Sequence, residues 1–252
     1  MVIDLKVYYI HNRWQQFAIV FTSVVLVAVI FTLSFFSVLK KADNVYKSVI
    51  TELTVVVDAG HGGIDGGAVA KDGTVEKDIN LAISGKLKKL LTLFGYNVVM
   101  TRESDELISD EGSVSVRQQK STDLHNRAKI LESYDNAILV SIHQNKYSVS
   151  KYYGAQVFYS GNNSESAEIA QSVQDSVVEL LQPENTRQIK QSGSEIFLLY
   201  TAEKPAIMVE CGFMSNLEEL LKLKDDIYQS QMAAAILFGI NNYYNKKDVL
   251  NG

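Results

Sequence analysis

Apolar, β-branched runs alternate with amphipathic stretches along most of this chain. Leu53–Val57 reads as a buried strand ending at Asp58. Glu76–Phe94 reads as a helix, because Ile79, Ile83, Leu87, Leu90, Leu91 and Phe94 recur at helical spacing before Gly95 ends it. Tyr96–Thr101 is a second strand, and the polar residues 103–121, which follow neither period, are a long surface loop. A helix at Leu124–Tyr134 leads to a buried strand, Ala137–Ile142, running into His143. Ala155–Tyr159 is a strand and Ser164–Leu181 a helix, with further strands at Ile196–Leu199 and Ala206–Val209. Helices near Leu217–Leu223 and Ile227–Tyr244 close the chain. Buried strands alternating with amphipathic helices predict one α/β domain over residues 52–246, a mainly parallel twisted sheet with helices on both faces. A tail of residues 247–252 follows it.

A different pattern precedes the domain. After a short segment, residues 1–16, Phe17–Leu39 is a run of 23 residues without a charge, closed by Lys40 and Lys41. At about 1.5 Å per residue it reaches across a hydrocarbon core of about 30 Å. We read it as a transmembrane signal anchor, with a cleaved, secreted form as the alternative, followed by a polar linker over residues 40–51.

Composition narrows the partners. The net charge of -5, without a basic stretch interleaved with aromatics, argues against nucleic acid. Cys211 is the only cysteine, so neither an internal disulfide nor a cysteine-rich zinc site can form. A metal would have to be held by carboxylates and by some of His11, His61, His125 and His143.

His61 and His143 each follow an apolar strand, and ligands of open α/β sheets gather beyond the carboxyl ends of strands. Glu76 opens the first helix after a glycine-dense loop that can fold back over the same edge. Two His and a Glu are a common ligand set for one catalytic zinc, with a fourth position left for water. Asp58 and Asp65 are placed to orient such ligands by hydrogen bonds. Glu210, after the apolar run Ala206–Val209, suits a general base. Plainer readings exist: histidines that cap or pack, a Glu76 favoured by the helix dipole, a phosphate-cradling glycine loop and an edge carboxylate at Glu210. His125 reads as a surface residue, and Cys211 as a small buried side chain or, in a rival reading, a thiol nucleophile.

The segments VVVDAGHGGIDGGA, TVEKDINLAI with Glu76, SIHQN and MVECGFMSN resemble, in order, the motifs of the zinc-dependent N-acetylmuramoyl-L-alanine amidases, the Amidase_3 family. The resemblance covers roughly residues 53–245. It implies zinc on His61, Glu76 and His143, with Glu210 as the catalytic carboxylate. It also implies TRESD at Thr101–Asp105 and the Leu124/Arg127 pair as structural landmarks, while Gln144 departs from the small residue usual before Asn145. Gly154–Ser166, Asn185–Lys190 and the cysteine of VECGF are similar to the sporulation amidases of the CwlD type. That likeness implies hydrolysis of the bond between N-acetylmuramic acid and L-alanine in spore-cortex peptidoglycan, the step before muramic δ-lactam formation, and so a role in germination. A catalytically silent, peptidoglycan-binding scaffold of the same fold is the alternative, and a peptidase acting on cross-links is another. Substrate capture then falls to the groove, the membrane anchor or an accessory protein. Lys40, Lys41 and Lys47 outnumber Lys6 and Arg13 across the anchor, so the placement of the domain on the outer, cell-wall face follows from the implied substrate rather than from charge.

Overall fold

The structure is a computed structural model that describes Trp14, residues 17–27, 29, 30, 32 and 34, and residues 52–251. It divides into two compact units, Met1–Ser48 and Val49–Gly252. In the first, residues 17–27 are helical with exposed side chains. Among the described residues no helix is long and apolar enough to cross a membrane, so the spanning helix expected over residues 17–39 is not found there. Parts of that stretch, and the linker up to residue 51, lie outside the described residues.

The second unit is built on a six-stranded sheet. Its strands are β1 (Thr54–Ala59), β2 (Asn97–Met100), β3 (Ala137–Asn145), β4 (Gln156–Tyr159), β5 (Lys190–Gln191) and β6 (Ala206–Phe213). They lie in the order β2-β1-β3-β6-β4-β5, parallel except for β4 against β6. The expectation of a mainly parallel sheet therefore holds, with one antiparallel pair. The helices are α1 (Glu76–Leu93), α2 (Val116–Glu132), α3 (Ser164–Leu180), α4 (Phe197–Thr201), α5 (Leu217–Lys224) and α6 (Asp226–Asn251). Helix α6 runs through residues expected to form a tail.

The helices cover both faces. Val56, Leu139, Ala206 and Met208 pack with Leu131 of α2 and with Leu198 and Leu199 of α4 in one buried cluster. The alternate strand residues, among them Val55, Val57, Val140, Ile142 and Val209, are fully enclosed on the other side, where α1 and α3 pack against α6. Such two-sided burial is why these strands are continuously apolar rather than alternating.

Two elements differ from the sequence reading. Residues 103–121 are not all loop, because α2 starts at Val116, capped by the Ser115 hydroxyl accepting from the Gln118 amide. Its buried residues are Asp123, Arg127 and Leu131, so the inward stripe is mostly charged and no apolar period marks it. Ile196–Leu199 is not a strand but passes into the short helix α4. Its buried positions Leu198, Leu199 and Ala202 follow a helical turn, and so short an apolar run is ambiguous between the two periods.

Candidate metal centre

The chain leaves β1 for β2 on one side and returns to β3 on the other, so a crevice opens between the carboxyl ends of β1 and β3. His61 follows β1, and His143 lies near the end of β3, where the register against β6 shifts between His143 and Asn145. His143 and Glu210 are register partners, so both side chains leave the same face of the sheet. Both lie inside their strands, not beyond the ends as their sequence positions suggested, because β3 runs to Asn145 and β6 to Phe213.

The loop after β1 is bent to bring its donors inward. His61 has φ 61, the left-handed region that a residue with a Cβ enters only at a cost. Gly62 and Asp65 exchange backbone hydrogen bonds at 2.9 Å and tighten the turn. Gly60 passes so close to the His143 ring that an added Cβ would lie 2.1 Å from its Nε2. At Gly67, φ +67, a Cβ would lie 2.5 Å from Glu76 Oε2. Only glycine allows both approaches.

Glu76, buried at the first position of α1, reaches around the sheet edge into this crevice. Its Oε1 lies 2.9 Å from His143 Nδ1 and 3.3 Å from His61 Nε2. The donor atoms of His61, Glu76 and His143 all fall within 4.8 Å of one another. Zinc bonds of about 2.0–2.1 Å in a tetrahedron set donors roughly 3.3 Å apart, so the set fits that ion. Glu76 is held in turn by the Ala68 amide at 2.7 Å, the Gln144 amide at 3.1 Å and Asn80 Nδ2 at 3.2 Å. Gln144, whose side chain hydrogen-bonds Asn80 at 3.1 Å, therefore supports the ligand from behind.

Asp65 fixes His61, its Oδ2 lying 3.0 Å from Nδ1, which leaves Nε2 for the crevice. The other Asp65 oxygen accepts from Lys120 Nζ at 2.7 Å. Burial works against a charged His61, yet the contacts with Asp65 and Glu76 outweigh it and raise its pKa to about 9. Glu76 is buried too, but the two imidazoles hold its carboxyl far below the usual range. This is a site organised around positive charge.

Asp58 behaves differently from the sequence reading, which gave it a ligand to orient. It accepts from Arg127 Nη1 at 2.6 Å, Thr101 Oγ1 at 2.8 Å and Ser141 Oγ at 2.5 Å, and touches neither metal-facing histidine by hydrogen bond. Arg127 is its purpose. Fully buried, that guanidinium also binds Asp123 at 2.7 Å and donates to the carbonyls of Ala59 and His61, each at 2.8 Å. It pins the backbone of the ligand loop. Arg102, of the TRESD segment, adds bonds to the Ala59 and Gly60 carbonyls. Lys120 could not be read from spacing, since it sits on the stretch taken for a loop, and Asp123 falls between that loop and the helix expected from Leu124.

Glu210, His61 and His143 line one cavity of about 370 Å³ with Met208, Leu124 and Phe197. Glu210 Oε2 is enclosed and meets no hydrogen-bond partner. Burial pushes its carboxyl up to about 7, only partly opposed by His143. Such a group changes protonation readily near neutral pH, as a base must. Cys211 cannot serve as nucleophile: it is fully buried, burial drives its thiol above the usual range, and it neighbours Glu210 on a strand whose successive side chains face opposite ways. His125, exposed on α2 with its ring 4.7 Å from Phe197, is apart from the site, and His11 lies outside the described residues.

Fold and site together are those of an α/β hydrolytic enzyme, with a two-histidine, one-carboxylate donor set able to hold a metal ion and a free carboxylate beside it. The chain belongs to the N-acetylmuramoyl-L-alanine amidase family, whose model matches residues 55–242. It is 35% identical over 193 residues to the germination-specific N-acetylmuramoyl-L-alanine amidase of Bacillus subtilis, covering 77% of this chain and 80% of that one. It superposes with a TM-score of 0.74 on the CwlD amidase of Clostridioides difficile, solved in complex with the GerS lipoprotein, at 41% identity over 76% of this chain and 98% of that one. A second amidase, from Clostridium difficile 630, matches with a TM-score of 0.68 and 32% identity over 78% and 99% of the two chains.

Proposed function

We propose that this amidase is zinc-dependent, acts on spore-cortex peptidoglycan, and is held by its N-terminal segment at the outer face of a membrane. The observation that carries the chemistry is the convergence of His61, Glu76 and His143 beside the unpartnered Glu210 carboxylate. Zinc in that donor set would polarise the lactyl-alanine carbonyl and acidify the attacking water. Glu210 takes the proton of that water and passes it to the departing L-alanine amine. Asp65 and Arg127 hold the His61 loop still.

Germination is the biological reading because the Bacillus relative is a germination-specific amidase. An accessory lipoprotein is supported by the partner in the Clostridioides structure. For the anchor, the support is the charge-free run Phe17–Leu39 together with Thr22 and Ser23 hydroxyls that donate to backbone carbonyls at 2.8–2.9 Å, so that even its polar groups need no water.

The test is metal analysis of the purified chain, paired with mass spectrometry of peptides released from cortex peptidoglycan. About one zinc per chain and release of stem peptides beginning with L-alanine are expected. Glu210→Gln should keep the zinc and lose at least about a hundredfold in kcat. A protein that releases nothing under any metal or partner condition is a scaffold, and cleavage within the peptide makes it a peptidase.

A further inference from the structure

Glu210 Oε2 is not the one enclosed oxygen near the metal centre that lacks a hydrogen-bond partner. Among the described residues Gln144 Oε1 meets none either. Gln144 follows His143 in β3, so its side chain leaves the opposite face of the sheet, the face on which α1 packs. It is only 3% exposed there. A buried amide with an idle acceptor costs stability, and a cost of that kind asks for a use.

The use emerges when the hydrogen bonds are followed outward from the carboxylate. Glu76 Oε1 is met by the Gln144 backbone N–H at 3.1 Å and by Asn80 Nδ2 at 3.2 Å. Asn80 lies one turn along α1 from Glu76 and is fully enclosed, and its Nδ2 also donates to the Gly60 carbonyl at 3.1 Å. A carboxylate and a carbonyl both accept, so the Asn80 amide stands in one sense only. Its nitrogen faces Glu76 and Gly60, and its Oδ1 faces away. That oxygen accepts from Gln144 Nε2 at 3.1 Å. The Gln144 amide also touches the Cys211 thiol, a weak hydrogen-bonding group. With its nitrogen committed to Asn80, Gln144 is left with Oε1 turned away and unmatched. The orphaned oxygen is the far end of a chain of donors whose sense is set at Glu76.

This pair of amides touches every segment that carries a donor. Asn80 sits on α1 with Glu76, its nitrogen holds Gly60 beside His61, and its oxygen is held from β3, which carries His143. A glutamate free to turn about its side-chain bonds loses that freedom when an ion arrives, so holding it beforehand favours binding. The Ala68 N–H fixes Oε2 at 2.7 Å, while Asn80 and the Gln144 N–H fix Oε1. Asn80 helps only while its nitrogen faces the carboxylate. Turned over, its Oδ1 would stand against Glu76 Oε1 and the Gly60 carbonyl. By engaging Oδ1, Gln144 removes that alternative.

We propose that Gln144 is a positioning residue of the metal centre, acting through Asn80 to hold Glu76 Oε1 ready for the ion, with its own idle acceptor as the cost to the fold. This role rests on the zinc reading of the His61–Glu76–His143 centre. Partners that hold a ligand from behind are worth about 10- to 100-fold in metal affinity.

Gln144→Met keeps the length of the side chain and removes both the donor and the idle acceptor. In competition with a chelating dye, the purified full chain carrying it should bind zinc and cobalt about 10- to 100-fold more weakly than the wild type. The visible absorption of the cobalt-loaded variant should change too, because a loosened Glu76 alters the ligand field. Its metal-free Tm should stay within about 3 °C of the wild type, since the orphan removed at Gln144 offsets the one created at Asn80 Oδ1. A merely structural Gln144 predicts the reverse, a lower metal-free Tm with affinity and spectrum unchanged. That result overturns the proposal, as does a Gln144→Met chain that no longer folds. Asn80→Ala should weaken binding at least as much, and adding Gln144→Met to it should cost nothing further; additive losses overturn the route through Asn80. Should Asn80→Ala not fold, Asn80→Ser completes the cycle. A wild type that takes up neither ion overturns the zinc reading and the positioning role with it. A wild type that binds zinc no more tightly than Gln144→Met overturns the role alone.

Discussion

Replacing Arg127 by Met keeps the side-chain volume and removes the charge, which isolates what the clamp contributes. The guanidinium is buried, and the change leaves Asp58 and Asp123 enclosed with their cation gone. Breaking a buried pair by deleting one partner costs about 3–5 kcal/mol, because the remaining charge is neither solvated nor matched. For a folded unit near 200 residues each kcal/mol moves Tm by about 2–4 °C, so a fall on the order of 10 °C is expected. The pH dependence should change as well. In the wild type, burial raises the Asp58 carboxyl, but Arg127, the Ser141 hydroxyl and the His143 charge together outweigh it, lowering its pKa from 3.8 to about 2. Stability from Asp58 is then complete above about pH 4 and lost as pH falls through about 2. Without Arg127 only Ser141 and His143 still oppose burial, so the folded pKa rises toward the unfolded one and the acid-side stability from Asp58 shrinks. Asp58→Asn in the Arg127→Met background should recover part of the loss, so the double variant is less destabilised than the two singles summed. Thermal unfolding by circular dichroism at pH 3, 5 and 7 reads all three effects. A Tm shift under about 3 °C, or strictly additive singles, would refute the reasoning that Arg127 is a buried structural clamp.

Other expectations follow from the same geometry. The Glu210 carboxyl, raised to about 7 by burial, is an active base only when deprotonated, so kcat/KM should fall on acidification along a limb above the ordinary glutamate range and no higher than about 7; a profile flat down to pH 5 counts against Glu210. Asp65→Asn removes the charge that holds His61 Nδ1 and should weaken zinc binding by about 10- to 100-fold in a competition titration with a chelating dye; unchanged affinity denies Asp65 that role. Gly67→Ala sets a Cβ against Glu76 and His61 in the left-handed region, so zinc content should drop well below one per chain at a stability cost of about 1–2 kcal/mol; full occupancy would mean the loop yields freely.

The parts of the fold that the hydrophobic pattern exposed and the parts it hid divide along a physical line. Strands β1, β3 and β6 and helices α1, α3 and α6 are legible because their buried positions are apolar and recur with the period of the element. The three donors and Glu210 were legible too, since each sits at the end of such an element or close to it, where side chains converge on a crevice. Helix α2 was legible only from Leu124 on, and its opening turns were not, for a reason that lies in the site itself. The helix carries Lys120, Asp123 and Arg127 toward the ligand loop, so the inward face that marks other helices by its leucines is here marked by charges. A stripe of Lys, Asp and Arg at i, i+3 and i+7 has the helical spacing, but read for hydrophobicity it is indistinguishable from a solvated loop.

The same blindness covered Arg187, a single charge in an irregular segment that donates to Gln156 on a strand two elements away. Sequence reasoning gave Asp58 a role at the metal because it is an acid near a histidine, whereas the structure commits it to Arg127. In both instances the deciding fact is which buried charge faces which, and no one-dimensional period encodes that. It follows that the electrostatic supports of the centre, Asp58, Asp65, Lys120, Asp123 and Arg127, form one connected set reaching from the sheet to the His61 loop. Substitutions within that set should couple to one another and to zinc affinity, while substitutions of equal size in the apolar cluster of Val56, Leu139 and Leu199 should lower stability without changing the metal affinity of the molecules that remain folded.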